Sequence, residues 1–247
     1  MLPPRYNVLG VGVHALDLAR ATRLVIETSA TPRSGYVCVA DARSIIETRD
    51  DPALREIFNQ AFLVTTDGMP LVWRGPPGTQ RVYGPDLLLA VCDAGRASGL
   101  RHYFYGGAPG VATDLAAKLS QRFPGLAVAG THTPPYRELT AEEENVLIAD
   151  IATARPHVVW VGISTPKQER FMARLAPRLE AGLLIGVGAA FDFHSGRIAQ
   201  APRWIQRIGF EWLYRICREP GRLGPRYLRT HPRFFWLMLR ELLTGRS

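Results

Sequence analysis

The chain has 247 residues, 47% hydrophobic and 21% charged, a balance that supports one folded domain with a small appendage and excludes a disordered or fibrous chain. Its cysteines, Cys38, Cys92 and Cys217, are far apart and odd in number, and its six histidines are scattered, so spacing assembles neither a disulfide framework nor a zinc site. The net charge of +8 is concentrated, because residues 197–247 hold eleven arginines against three glutamates and the rest of the chain is neutral.

In chain order, the N-terminus has no apolar run followed by a small-residue cleavage site, which predicts no signal peptide. Over residues 5–200 short β-branched runs alternate with helical patterns, the signature of an α/β, Rossmann-like domain with a mainly parallel sheet flanked by helices. Strands are predicted over 6–11, 36–40, 62–65, 102–105, 127–130, 157–161 and 183–187. Helices are predicted over 51–61, where Leu54, Ile57, Phe58 and Ala61 recur and Asp50 or Asp51 caps the start, and over 109–123, 142–154 and 167–176. The longest apolar stretches, 182–191 and 234–239, fall short of the ~20 residues that span a bilayer, so a cytoplasmic protein is expected.

The composition changes near Arg197, dividing an α/β domain (1–196) from a helical appendage (197–247) rich in Arg and aromatic residues. Ile205, Ile208, Trp212 and Ile216 fall on one helical face and Arg207, Glu211, Arg215 and Arg218 on another. Pro220-Gly221 then breaks the helix, and Arg226, Arg229 and Arg233 follow at helical spacing.

In such a fold ligands bind at the carboxyl ends of the strands. Asp67, in Thr65-Thr66-Asp67-Gly68-Met69-Pro70, is placed to act as a general base, to hold a ribose hydroxyl, or only to shape a turn. Arg81, in Arg81-Val82-Tyr83-Gly84-Pro85-Asp86, offers a planar fork of donors to a diphosphate, or is a surface residue ahead of a helix starting near Asp86. Gly106 and Gly107 form a glycine-rich strand-to-helix turn that suits phosphate or a base edge, although many such turns bind nothing. In Gly162-Ile163-Ser164-Thr165-Pro166-Lys167-Gln168-Glu169, Thr165 and Gln168 have the spacing of a capping box, which leaves Lys167 unexplained. The strand exit from Gly186 through Gly188 to Asp192 has small residues that admit a ligand to the backbone, and His194 beyond it reads as structural.

Together these segments, with Asp51-Pro52-Ala53-Leu54 and Glu211-Trp212-Leu213-Tyr214-Arg215, resemble the WecG/TagA/CpsF family of bacterial glycosyltransferases (glycosyltransferase family 26), in family order over roughly residues 35–230. The resemblance implies an inverting, metal-independent transfer of a sugar from a UDP-sugar to a polyprenyl-diphosphate-linked saccharide in cell-surface polysaccharide synthesis. It implies that Asp67 is the general base, that Arg81 faces the donor diphosphate, and that Gln168 lines the site. It also implies that Arg215, Arg222 and Arg226 close over the site from the appendage. Gly106, Gly107, Gly162, Lys167, Gly188 and Asp192 are the further donor-side candidates. Many members carry Thr-x-Asn where this chain has Val39-Ala40-Asp41, which makes Asp41 a second carboxylate candidate.

A metal-free transferase must oppose the charge that develops on UDP with fixed cations and backbone donors, and Arg81 with the tail arginines offers these. No cofactor and no metal are expected. An Arg-and-aromatic amphipathic tail also suits an anionic membrane, which places the protein peripherally on the inner face of the cell membrane. Two other classes compete with this reading. The first is an RNA-binding protein using the basic aromatic tail, which predicts steeply salt-dependent RNA binding. The transferase reading predicts no nucleic-acid partner and leaves a homo-oligomer open. The second, a dinucleotide-dependent dehydrogenase, needs a third glycine that Gly10-Val11-Gly12-Val13-His14-Ala15 lacks.

Overall fold

Short apolar runs build a central sheet whose inner strands are buried on both faces, while its edge strand over 127–132 is partly exposed. A computed structural model describes residues 1–180 and 182–244, the side chains of Arg222, Arg226 and Leu242 excepted. A hairpin of β1 (Arg5–Val8) and β2 (Val11–His14) is followed by α1 (Leu18–Ser29), β3 (Ser34–Ala40), α2 (Ala42–Asp50), α3 (Pro52–Gln60) and β4 (Leu63–Thr66). Next come α4 (Met69–Arg74), α5 (Gly84–Ala94), β5 (Arg101–Gly106), α6 (Val111–Arg122), β6 (Ala127–His132) and α7 (Ala141–Ala154). The chain continues through β7 (Val158–Gly162), α8 (Lys167–Leu175), β8 (Gly182–Gly186) and α9 (Ala190–His194) to three C-terminal helices, α10 (Arg203–Arg207), α11 (Glu211–Arg218) and α12 (Pro220–Thr244).

Strands β3 to β8 form one parallel sheet in the order β4-β3-β8-β7-β5-β6, as the α/β pattern predicts. Alternate side chains serve two helical layers. Tyr36, Cys38, Val159, Val161 and Leu184 pack with Ile45, Phe58 and Met172 of α2, α3 and α8. Val37, Val158, Trp160, Leu183 and Ile185 pack with Val25, Leu88, Leu115 and Phe191 of α1, α5, α6 and α9.

Three local expectations change. The strand expected over 6–11 is split, because Leu9 (φ 52°) and Gly10 (φ 94°) are both left-handed and turn the chain back into an antiparallel hairpin outside the main sheet. The capping box expected at Thr165 and Gln168 does not form: α8 starts without a side-chain cap, and Gln168 turns inward. The apolar face expected across 205–216 is interrupted at Gly209 (φ 80°), which separates α10 from α11. The break leaves Trp204, Ile208, Phe210 and Leu213 exposed, while Glu211 of α11 is buried against the domain.

The last helix is fastened to the first layer. Pro220 opens α12, as its fixed φ favours, and Phe234, Leu237 and Met238 enter the core that also holds Ile45 and Ile46 of α2. At the rim Arg233 reaches both oxygens of Asp50, each at 2.6 Å. Among the described residues no helix is long and apolar enough to cross a membrane.

Candidate active site

Parallel pairing sets the floor of the site. Ala40 lies opposite Thr66, and the Asp67 N–H donates to Ala40 O at 2.8 Å, so Asp41 and Asp67 leave the sheet side by side. Asp41 is the N-cap of α2: its Oδ1 accepts from Ser44 N at 2.7 Å, and Ser44 Oγ accepts from Asp41 N at 2.9 Å. Asp67 has no such duty, since α4 begins without a side-chain cap. Although 24% of its side chain reaches the cleft, burial pushes its carboxyl up to about 7. Arg81 pulls in the opposite direction, and Glu211 and Asp41 add to the push.

Arg81 links this floor to the C-terminal helices. Its Nε donates to Asp67 O, and its Nη2 donates to Asp67 Oδ1 at 3.2 Å and to Glu211 Oε2 at 2.7 Å. The guanidinium lies 4.0 Å over the Tyr83 ring, and the Tyr83 hydroxyl donates to the other oxygen of Glu211. Burial works against the charge on Arg81, but Asp67 and Glu211 more than offset it and raise its pKa. Arg215, one turn further along α11, stacks 5.6 Å from the Phe193 ring. Among the described residues it forms no ion pair. Burial opposes its charge, and Tyr227, Tyr83, Glu211 and Asp67 together favour it.

A second wall comes from β7 and β8. Gln168, 3% exposed, donates through Nε2 to Glu169 Oε1 at 2.9 Å, and Thr165 Oγ1 donates to the same oxygen at 3.0 Å. Burial pushes the Glu169 carboxyl up to about 7. Among the described residues Gln168 Oε1 has no hydrogen-bond partner. Gly186 makes room for this amide, since a Cβ there would lie 2.9 Å from Gln168 Nε2. Two clefts meet over these walls and share Asp41, Asp67, Tyr83, Arg215 and Tyr227. The joined concavity sets a raised carboxylate beside two arginines.

The Glycosyl transferase WecG/TagA/CpsF family matches residues 6–247. The chain belongs to that family. It is also 26% identical over 194 residues to a Bacillus spizizenii protein named N-acetylglucosaminyldiphosphoundecaprenol N-acetyl-beta-D-mannosaminyltransferase, covering 77% of this chain and 74% of that one. This WecG/TagA/CpsF member is therefore a glycosyltransferase.

The fold of this glycosyltransferase gathers some of the sequence candidates and disperses others. Asp41, Asp67, Arg81, Gln168, Gly188 and Arg215 line the joined clefts. Gly106 and Gly162 are packed against structure instead: a Cβ at Gly106 would meet Gly162 O at 2.6 Å, and one at Gly162 would meet the Phe191 ring at 2.5 Å. Gly107 is left-handed (φ 75°) and donates to Gly162 O at 3.0 Å. Lys167 is exposed, with Nζ 5.2 Å from the Tyr136 ring. Asp192 sits in the first turn of α9, next to Phe193, which lines the second cleft. Arg222 and Arg226 lie on α12, and their side chains are outside the described residues.

Four cleft residues of this WecG/TagA/CpsF member received no role from the sequence. Tyr83 and Glu211 lie inside segments that carry the family resemblance, which was the available signal. Tyr227 and His231 are buried on α12, edge to face with ring centroids 4.8 Å apart, and the tail's periodicity carried nothing to mark them. Burial lowers the His231 pKa against the pull of Asp41.

Proposed function

We propose that this glycosyltransferase moves a sugar from a UDP-sugar to a polyprenyl-diphosphate-linked saccharide, with inversion and without a metal ion, in bacterial cell-surface polysaccharide synthesis. The observation that carries the chemistry is Asp67, a carboxylate raised to about 7 at a strand end, within 3.2 Å of a guanidinium. The name of the Bacillus spizizenii relative supports the acceptor class, a saccharide on undecaprenyl diphosphate.

In this reading Asp67 accepts the proton of the acceptor hydroxyl. That oxygen attacks the anomeric carbon from the face opposite the diphosphate, and the bond from that carbon to the diphosphate oxygen breaks. The electron pair leaves with UDP, whose added charge is opposed by Arg81 and Arg215. The donor lies against the wall at Gly188 and Gln168, where the buried Gln168 Oε1 accepts from a donor hydroxyl or N–H. Asp41, with one oxygen committed to α2, helps hold the acceptor.

The acceptor's lipid also fits the outside of the C-terminal helices. Trp204, Ile208, Phe210 and Leu213 are exposed around α10 and α11, and a Cβ at Gly209 would lie 3.6 Å from the exposed Trp73 of α4. We assign this face, with the exposed Arg207 and Arg218 beside it, to docking on the anionic inner leaflet. Each basic residue near such a surface adds about 1 kcal/mol.

The reading is tested by measuring UDP release over a panel of UDP-sugars with a short-chain prenyl-diphosphate-linked acceptor and EDTA present. Acceptor-dependent release from one donor is expected. Release that requires added manganese or magnesium would remove the metal-free mechanism.

A further inference from the structure

The cleft contains one acid in a place that the departure of a diphosphate does not call for. Glu211 opens α11, comes from a segment 130 residues beyond Arg81, and is only 8% exposed. Both of its oxygens are used: Oε2 accepts from Arg81 Nη2 at 2.7 Å, and Oε1 accepts from the Tyr83 hydroxyl. The chain reaches this position through Gly209, whose left-handed φ of 80° and missing side chain let the turn lie against Met69, 3.1 Å from where a Cβ would stand. Arg81 is thereby aimed from two sides, by Asp67 within the α/β domain and by Glu211 from the C-terminal helices.

We infer that Glu211 is a positioning residue for the transfer reaction: it orients the Arg81 guanidinium and keeps a second negative charge beside Asp67, so that seating of α11 completes the base. This inference rests on the reading of Asp67 as the proton acceptor. The groups lining the cleft around Asp67 are Asp41 at the start of α2, Arg81 and Tyr83 ahead of α5, Glu211 and Arg215 of α11, and Tyr227 and His231 of α12. Of these, Arg81 lowers the Asp67 pKa, while Glu211 and Asp41 raise it.

Neutralising Glu211 has two effects with the same sign. It removes a like charge near Asp67, and it takes from Arg81 its other carboxylate partner, leaving the guanidinium to Asp67 alone. Asp67 then loses its proton at lower pH and becomes a weaker base. A residue that only held α11 in place would, when neutralised, alter stability without moving the pH at which the base titrates.

The experiment is the pH dependence of kcat/KM between about pH 5 and about pH 9, measured on the full chain for wild type, Glu211→Gln, Glu211→Asp and Asp67→Asn. Thermal unfolding is followed in parallel. Glu211→Gln is expected to move the acid limb down by about one pH unit and to lower the plateau by about tenfold through loss of the Arg81 orientation. Glu211→Asp, which keeps the charge, is expected to restore the position of the limb. If Glu211→Gln does not fold, Tyr83→Phe takes its place: it frees one Glu211 oxygen and is expected to shift the limb in a measurable way and lower the plateau. An unmoved limb in a folded variant, whatever its plateau, overturns the role of Glu211. Failure of the underlying reading looks different, since Asp67→Asn would then turn over normally.

Discussion

The Arg81 guanidinium holds Asp67 at two points, donating from Nε to its carbonyl oxygen and from Nη2 to its carboxylate at 3.2 Å, so carboxylate and cation form one unit anchored to the backbone of β4's exit. An arginine this close would ordinarily keep a carboxylate acidic. Here burial wins, and the carboxyl is pushed up to about 7.

That balance predicts the pH dependence of transfer. Below about 7 Asp67 carries a proton and is no base, so kcat/KM should fall about tenfold per unit as the pH drops and level off above it. The same raised pKa has a sign for stability. Because folded Asp67 holds its proton to higher pH than the unfolded carboxyl does, its contribution is full at low pH and is lost as the pH rises through about 7. A pH–rate profile flat from about pH 5 to about pH 8 would contradict the assignment.

The glycines of β5 and β7 are predicted to act on the fold. A methyl group at Gly162 would stand 2.5 Å from the Phe191 ring, and Phe191 is buried in the second core layer with no room to retreat. Gly162→Ala should cost about 1–3 kcal/mol by overpacking. Chemical denaturation measures the loss; unchanged stability with weakened UDP binding would return Gly162 to the ligand.

Much of this was legible in the sequence, for a physical reason. Inner strands buried on both faces read as apolar runs, so the parallel sheet and the helices between its strands were visible, and so was the cluster of polar residues at their exits. Local signals went astray where tertiary packing decided the outcome. Thr165 and Gln168 have cap spacing, yet Gln168 is drawn inward by Glu169, whose burial no periodicity reveals. Gly106 also has a packing requirement, since a Cβ there would meet Gly162's backbone, and a glycine so required is indistinguishable in sequence from one required by a ligand. Glu211 was visible on the polar face of a helix and inside a segment that carries the resemblance, but nothing local states that this face turns toward Arg81.

The outward apolar residues predict how the protein meets a bilayer. Trp204, Ile208 and Leu213 are 65%, 51% and 43% exposed, so replacing all three with Glu removes little packing and should leave thermal stability near wild type. Cosedimentation with vesicles containing anionic phospholipid should fall sharply, because the change removes apolar contact and adds like charge. Undiminished cosedimentation would remove this face from docking.

The central claim is that Asp67 takes the proton while arginines steady the departing nucleotide, and its most direct test is Asp67→Ala assayed for both transfer and UDP binding. The account predicts a folded protein that binds UDP as wild type does and whose transfer rate falls by about a hundredfold or more. Transfer at the wild-type rate in that variant would contradict it.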